Sequence, residues 1–368
     1  MEKVRLGLVG FGVIGSMHAK YLTDGEVSGV VLSCICDISP DRLKLAKELY
    51  PNIKLFSDYK EMIRSGEVDA VFVATPHYDH PKIALYALQN GLHTLIEKPA
   101  GVYTKQVLEM NEAAMKSDRV FGIMYNQRTN PVYQKLRDLI KSGELGEIKR
   151  TNWIIDWYRP QSYYDSGGWR ATWAGEGGGV LLNQDPHQLD LWQWTCGMPK
   201  RVRAFCYYGK YHNIEVEDDV TAFVEYENGA TGVFVTSTAM TPETNRFEVM
   251  GDKGKVVIED GKLVFYRLRT PERQFNREYQ GGKIAAPECW RCEIPVAPGG
   301  GGQHKEIMQN FVNAILKGEQ LLAPGIEGIN GLQISNAMHL SSWINDWVEI
   351  PVDPDLFYDK LMEKIKFR

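Results

Sequence analysis

Between residues 4 and 124 the chain alternates short apolar runs with stretches that repeat hydrophobic positions at helical spacing. The runs at 4–9, 30–36, 70–74, 94–97 and 120–124 are almost uninterruptedly hydrophobic, the pattern of strands buried on both faces. Residues 40–50 read as a helix with Ser39 as N-cap and Pro40 at the first helical position, and residues 81–90 as another, stopped by Gly91. Strand and helix in alternation predict a doubly wound parallel sheet over residues 1–125.

Past Tyr125 the pattern changes. A helical stretch at 132–141 passes through Gly143-Glu144-Leu145-Gly146 into a long alternating strand, and another helix begins near Pro186. From 201 to 267, strand patterns recur around turns at Glu227-Asn228-Gly229, Gly251-Asp252-Lys253-Gly254 and Asp260-Gly261. This grammar predicts an α+β domain over residues 126–368, built on a large, mainly antiparallel open sheet. Residues 270–302, with Pro298 and four consecutive glycines, read as a long surface excursion.

Composition narrows the function classes. The 368 residues carry 42 basic and 47 acidic side chains, a net charge of -5 without the basic runs that would follow a phosphate backbone, which argues against nucleic acid as a partner. No charged leader with an apolar core opens the chain, and no apolar run reaches membrane-spanning length, so a cytoplasmic location is expected. Six cysteines without framework spacing fit a reducing compartment. Cys289 and Cys292 are spaced like half of a zinc site but lack a second pair, Cys34 and Cys36 should share one strand face, and no metal is expected.

The sharpest local signal is Gly10-Phe11-Gly12-Val13-Ile14-Gly15, placed between a strand and a helix. Glycines there permit a tight turn, close approach of a pyrophosphate and close helix-strand packing, with the helix N-terminus facing the negative charge. The whole motif fits a Rossmann dinucleotide site. Asp37 ends the second strand, where a carboxylate accepts hydrogen bonds from an adenosine ribose and repels a 2′-phosphate. NAD is therefore expected over NADP, with Arg42 nearby as a complication.

Further along, Ala74-Thr75-Pro76-His77-Tyr78-Asp79-His80 precedes Glu97-Lys98-Pro99, and Trp169-Arg170-Ala171-Thr172-Trp173 precedes Gly177-Gly178-Gly179-Val180-Leu181-Leu182-Asn183-Gln184-Asp185-Pro186-His187-Gln188-Leu189-Asp190. Together these segments resemble the Gfo/Idh/MocA oxidoreductases, the glucose-fructose oxidoreductase and inositol dehydrogenase group. The resemblance implies that Lys98 and His187 stand at the substrate hydroxyl beside the nicotinamide. It adds Thr75, Pro76, His77, His80, Glu97 and Lys98 to the cofactor residues, and places substrate contacts at Asn126, Arg128, Tyr163, Trp169, Arg170, Asn183 and Asp185. Asn183 stands where many relatives carry Asp, and an amide orients a hydroxyl but cannot take its proton. His304, after the glycine run, either reaches the site or lies at the surface.

The chemistry agrees with those roles, since hydride loss from a carbinol carbon requires a base for the hydroxyl proton. Asp185 as N-cap and Pro186 as first helical residue put His187 in a first helical turn, which disfavours imidazolium, while Asp190 three residues on would favour it. Trp153, Trp157, Tyr158, Tyr163, Tyr164, Trp169 and Trp173 supply aromatic faces suited to a sugar ring. The expected activity is NAD-dependent oxidation of a secondary hydroxyl, at C3 by resemblance, of a neutral hexose or glycoside by a homo-oligomer, dimer or tetramer. Inositol oxidation, a glycoside 3-oxidase or redox glycosidase feeding bond cleavage, and a non-catalytic dinucleotide sensor are the alternatives.

Overall fold

The computed structural model describes residues 2–366; Met1 and residues 367–368, the outer ends of the two expected domains, lie outside the described residues. The first sheet is formed by β1 (Val4–Val9), β2 (Val30–Cys36), β3 (Lys54–Phe56), β4 (Ala70–Val73), β5 (His93–Ile96) and β6 (Phe121–Ile123), all parallel, in the order β3-β2-β1-β4-β5-β6. The helices α1 (Val13–Thr23), α2 (Pro40–Leu49), α3 (Tyr59–Arg64), α4 (Asp79–Gln89) and α5 (Thr104–Lys116) connect these strands. Every residue of β4 is buried, as a strand covered on both sides requires. The strand order reverses between β1 and β4, and a doubly wound sheet opens its ligand crevice at such a switch point.

Helix α2 starts as expected, with Ser39 Oγ accepting from the Arg42 N–H. Helix α4 starts two residues earlier than the sequence indicates, so His80 and Pro81 both sit in its first turn. Proline is accommodated there because the first-turn N–H groups have no partner within the helix.

The second half runs α6 (Pro131–Lys141), β7 (Ile148–Asp156), α7 (Gln161–Tyr164), α8 (Val180–Asn183), α9 (Pro186–Cys196), β8 (Arg201–Tyr208), β9 (Glu217–Glu225), β10 (Thr231–Ser237), β11 (Asn245–Gly251), β12 (Gly254–Glu259) and β13 (Lys262–Leu268). After them come α10 (Glu272–Glu278), β14 (Cys289–Ile294), α11 (Gln303–Lys317), α12 (Gly328–Ile344), β15 (Val348–Glu349) and α13 (Pro354–Lys366). Among the described residues nine strands form one sheet in the order β14-β13-β12-β11-β7-β10-β9-β8-β15, and β7 with β10 is its single parallel pair. Residues 270–302 are more than a surface excursion, because β14 pairs with Leu263–Leu268 of β13 and extends the sheet by one edge strand.

The inner face of this sheet carries the second core. Trp153 lies flat against Phe247 with ring centroids 4.2 Å apart, and Trp192 stacks on Phe234 at 5.4 Å. Helix α12 packs on β8 and α9 and is buried around nearly its whole circumference. Between β14 and α12 the chain returns to the first layer. The Ile123 N–H donates to the Ala323 carbonyl across 3.1 Å, Gln309 of α11 exchanges hydrogen bonds with the Ser28 main chain, and Phe311 faces Gly122.

Candidate functional site

Geometry at the glycine turn distinguishes its three glycines. Gly10 has φ +96°, and a Cβ there would lie 2.5 Å from the Ala74 carbonyl oxygen; at Gly15 it would lie 2.0 Å from the Gly10 oxygen. At Gly12 a Cβ would meet nothing within 4 Å. Two of the glycines are therefore demanded by the protein's own packing, whereas Gly12 borders the space a pyrophosphate would enter. Gly12 is also the N-cap of α1, whose first turn has no side-chain cap and no acidic residue, leaving main-chain N–H groups for an anion. Phe11 is buried, Ile14 half-buried and Val13 exposed.

Asp37 is laced to this turn. Its Oδ2 accepts from the Phe11 N–H at 2.7 Å and its Oδ1 from the Ser39 N–H at 2.8 Å. After β4, Thr75 carries a buried hydroxyl oxygen with no partner among the described residues, Pro76 is exposed, and His77 contacts the Glu176 carbonyl at 3.1 Å through Nδ1. The two ring nitrogens of His80 face the carbonyls of Pro99 (2.8 Å) and Thr75 (2.7 Å). Burial lowers its proton affinity and favours the neutral ring, which can donate to only one of them.

Behind Lys98 stands an anion. The Glu97 Oε1 meets His18 Nε2 at 2.7 Å, and its Oε2 accepts from the Lys98 main-chain N–H at 3.1 Å. Burial pushes the Glu97 carboxyl up, but the His18 hydrogen bond and charge pull it down to about 2. His304, in the first turn of α11, packs edge-on against His18 at 5.4 Å. Lys98 extends its Nζ to the Asn183 carbonyl at 2.7 Å. Burial pushes this ammonium below its usual range, against Glu97 and Glu176.

His187 follows Pro186 in the first turn of α9, and its Nδ1 has no partner among the described residues. Burial, then the charge of Lys98, depress its pKa to about 3. The imidazole is neutral and can accept a proton. The expected opposing influence of Asp190 is absent, because that carboxylate is turned to Arg128 at 2.7 and 2.8 Å. Asp185 does occupy the N-cap, but its side chain does not cap α9; it accepts from Trp157 Nε1 at 2.6 Å, and burial pushes its carboxyl up to about 7.

The loops around Lys98 bring Tyr163, Trp169, Arg170 and Asn183 together. The Tyr163 hydroxyl accepts from Arg170 (2.9 Å) and Asn183 (3.2 Å), and the Arg170 guanidinium lies 4.7 Å from the ring centres of both Tyr163 and Trp169. Trp169 stands edge-on to His77. Arg128 is placed otherwise. Fully buried, it pairs with Asp190 and with Glu327 and donates to the Leu322 carbonyl, so its guanidinium is engaged within the core. Asn126 is buried and donates to Gln303 at 2.6 Å. Trp153, Tyr164 and Trp173 are core residues as well. No group of three metal-binding side chains occurs among the described residues.

Sequence reasoning passed over Glu176. Its side chain is 2% exposed and hydrogen-bonded to Asn183, and the available signal was a lone carboxylate directly before three glycines.

Known proteins resemble this chain along most of its length. Residues 4–125 match the oxidoreductase family with an NAD-binding Rossmann fold, and residues 133–257 match the GFO/IDH/MocA C-terminal domain. The rhizopine catabolism protein MocA of Rhizobium meliloti is 31% identical over 54% of this chain, a match spanning 58% of that relative's length. The D-glucoside 3-dehydrogenase of Escherichia coli is 28% identical over 64% of this chain and 71% of its own. Among solved structures, the WlbA dehydrogenase of Chromobacterium violaceum, in complex with NADH and UDP-GlcNAcA, superposes with a TM-score of 0.82 at 27% identity, covering 96% of this chain and 97% of that one. No described helix is long and apolar enough to cross a membrane. NAD is the cofactor of the matched fold, the glycine turn fits it, and the two matches follow each other along more than half of the chain, which therefore belongs to the GFO/IDH/MocA family of oxidoreductases.

Proposed function

We propose that this protein is an NAD-dependent dehydrogenase that oxidises a secondary hydroxyl, at C3, of a neutral hexose or glycoside. The observation that carries the reading is Lys98 Nζ at the Asn183 carbonyl, beside the Tyr163–Asn183 pair and near enough for its charge to depress the His187 imidazole. Bound NAD supplies the hydride acceptor. The remaining steps belong to the chain. Gly12 and the α1 N-terminus hold the pyrophosphate, with Asp37 at the ribose. Lys98, in its deprotonated form, orients the reacting hydroxyl and takes its proton as the carbinol C–H is lost, relaying it to His187.

A neutral ligand is favoured because the cationic groups are already engaged. Arg170 is held by Tyr163 and lies 3.8 Å from Glu176, leaving no clustered clamp for a phosphate. Tyr163 and Trp169 offer ring faces to the C–H side of a pyranose. The C3 assignment draws support from the relative named a D-glucoside 3-dehydrogenase. Exposed Ile154, Phe205 and Tyr207 on the outer face of the nine-stranded sheet fit a homo-oligomer, dimer or tetramer, and a cytoplasmic setting suits the free cysteines.

The test offers NAD with glucose, methyl glucoside, myo-inositol, glucose 6-phosphate and a UDP-sugar, follows NADH absorbance, and locates the product carbonyl by NMR. Preference for glucose or the glucoside, with a C3 carbonyl, is expected. Preference for the UDP-sugar would replace the neutral-substrate reading with one nearer the WlbA relative, and no turnover on any arm would favour a dinucleotide sensor.

A further inference from the structure

The side-chain amide of Asn183 is held from one side only. Its Nδ2 donates to Glu176 Oε1 and to the Tyr163 hydroxyl (3.2 Å), which occupies both amide hydrogens. Its main-chain carbonyl receives Lys98 Nζ at 2.7 Å, which anchors residue 183 beside that lysine. Among the described residues its Oδ1 accepts no hydrogen bond. Glu176 is itself fixed, 2% exposed, with Oε2 accepting from the Ala171 N–H at 2.6 Å and Oε1 lying 3.8 Å from Arg170. Ala171 adopts a left-handed backbone, φ +56°, and the main-chain carbonyl of Glu176 contacts His77 of the cofactor layer. An ionised carboxylate only accepts hydrogen bonds, so it can face the NH2 end of an amide and not the oxygen end.

We propose that Glu176 is a positioning residue that locks the Asn183 amide with Oδ1 toward the substrate, so that Asn183 acts there as an obligate acceptor. Resting on the reading of this site as one that oxidises a sugar hydroxyl, the inference adds a substrate rule: the group opposite Asn183 must be a free hydroxyl that donates. An ether, a fluorine or a carbonyl at that carbon has no hydrogen to give. Burial raises the Glu176 proton affinity overall, against the Ala171 N–H and Arg170, which favour the carboxylate.

The decisive variants are Glu176→Gln, Asn183→Asp and the pair together. Glu176→Gln removes the bias on the amide and is expected to raise KM and lower kcat/KM by about ten- to a hundredfold. Asn183→Asp alone places two carboxylates in contact and is expected to lose as much. In the double variant the amide introduced by Glu176→Gln donates to the carboxylate introduced by Asn183→Asp, the acceptor toward substrate returns, and kcat/KM should recover to within about threefold of the wild type. A merely structural role for Glu176 predicts no such recovery. Independently of any substrate, selective 15N-asparagine spectra of the wild type should show the Asn183 NH2 resonances moving with the titration of a nearby carboxyl, and in Glu176→Gln that movement should vanish. Losses that simply multiply in the double variant, or Asn183 resonances indifferent to Glu176, would overturn the proposal. Absence of carbohydrate turnover by the wild type would instead count against the functional reading, while the spectra still decide the amide's orientation.

Discussion

The Lys98 ammonium reaches a main-chain oxygen, that of Asn183, across 2.7 Å and 85 residues of sequence. A main-chain acceptor cannot neutralise the charge, and burial already disfavours it, so this lysine is prepared to give up a proton. Lys98→Arg keeps charge and reach but cannot deprotonate, and turnover should fall by about two to four orders of magnitude, with the acid limb of kcat/KM lost from the accessible pH range. His187→Gln should lower the plateau by a comparable factor without moving that limb, because His187 is already neutral above about pH 3. Initial rates from pH 5 to 10 distinguish the two, and an acid limb that moves in His187→Gln would reverse the assignment.

Gly12 and Gly15 should fail differently when given a methyl group. Gly12→Ala projects its Cβ into open space and should keep the melting temperature within about 2 °C while weakening NAD binding at least about tenfold. Gly15→Ala drives a Cβ into the Gly10 oxygen and should destabilise the fold before cofactor is added. Calorimetric titration beside thermal melts checks both, and tight NAD binding by Gly12→Ala would remove the pyrophosphate from that spot.

Arg128→Met should act on stability and not on ligand contact. Removing the guanidinium strands Asp190 in the core, a cost of about 3 to 5 kcal/mol for breaking a buried pair. Urea unfolding reads it. A variant of wild-type stability with a raised substrate KM would return Arg128 to the binding site.

Asp185 should make the fold weaken as pH rises. Its folded pKa of about 7 lies above the ordinary aspartate value of 3.8, so the native state binds the extra proton between these values. The stability this contributes is fully present below about pH 4 and is lost as pH rises through 7, up to about 4 kcal/mol by linkage. Asp185→Asn should flatten that dependence, its amide oxygen still able to accept from Trp157. Melting curves of both proteins at pH 4 and pH 8 test it; parallel changes would mean that Asp185 is ionised in the fold.

Strands of the first layer were legible because burial on both faces writes an unbroken apolar run, as in β4, and the glycine turn because its steric demands leave few alternatives. Helix α12 gave no comparable signal. Polar Gln333, Asn336, His339 and Ser341 are buried along with Leu332, Ile334 and Met338, so no amphipathic stripe exists to be seen. Edge strand β14 was hidden for the opposite reason, since Cys289, Trp290 and Arg291 are all exposed and pattern alone does not separate an open edge from a loop. At the site, the histidine and lysine were singled out by the resemblance of the segments that carry them. What a side chain does with its second partner was not legible: Asp190 chose Arg128 over His187 and Asp185 chose Trp157 over its own helix, outcomes fixed by residues remote in sequence.

The return of the chain to the first layer bears on how the molecule comes apart. Ala323 and Pro324 line the open side of β6, and Phe311, Val312 and Leu316 of α11 cover Gly122 and Gly29. A fragment ending at residue 125 would lose that cover and bare a strand edge to aggregation. The boundary that looks natural along the sequence is therefore not a line of cleavage in space. Loosening of the distant α11 would be felt at β1 and β6, and unfolding of the two layers becomes one cooperative event instead of two.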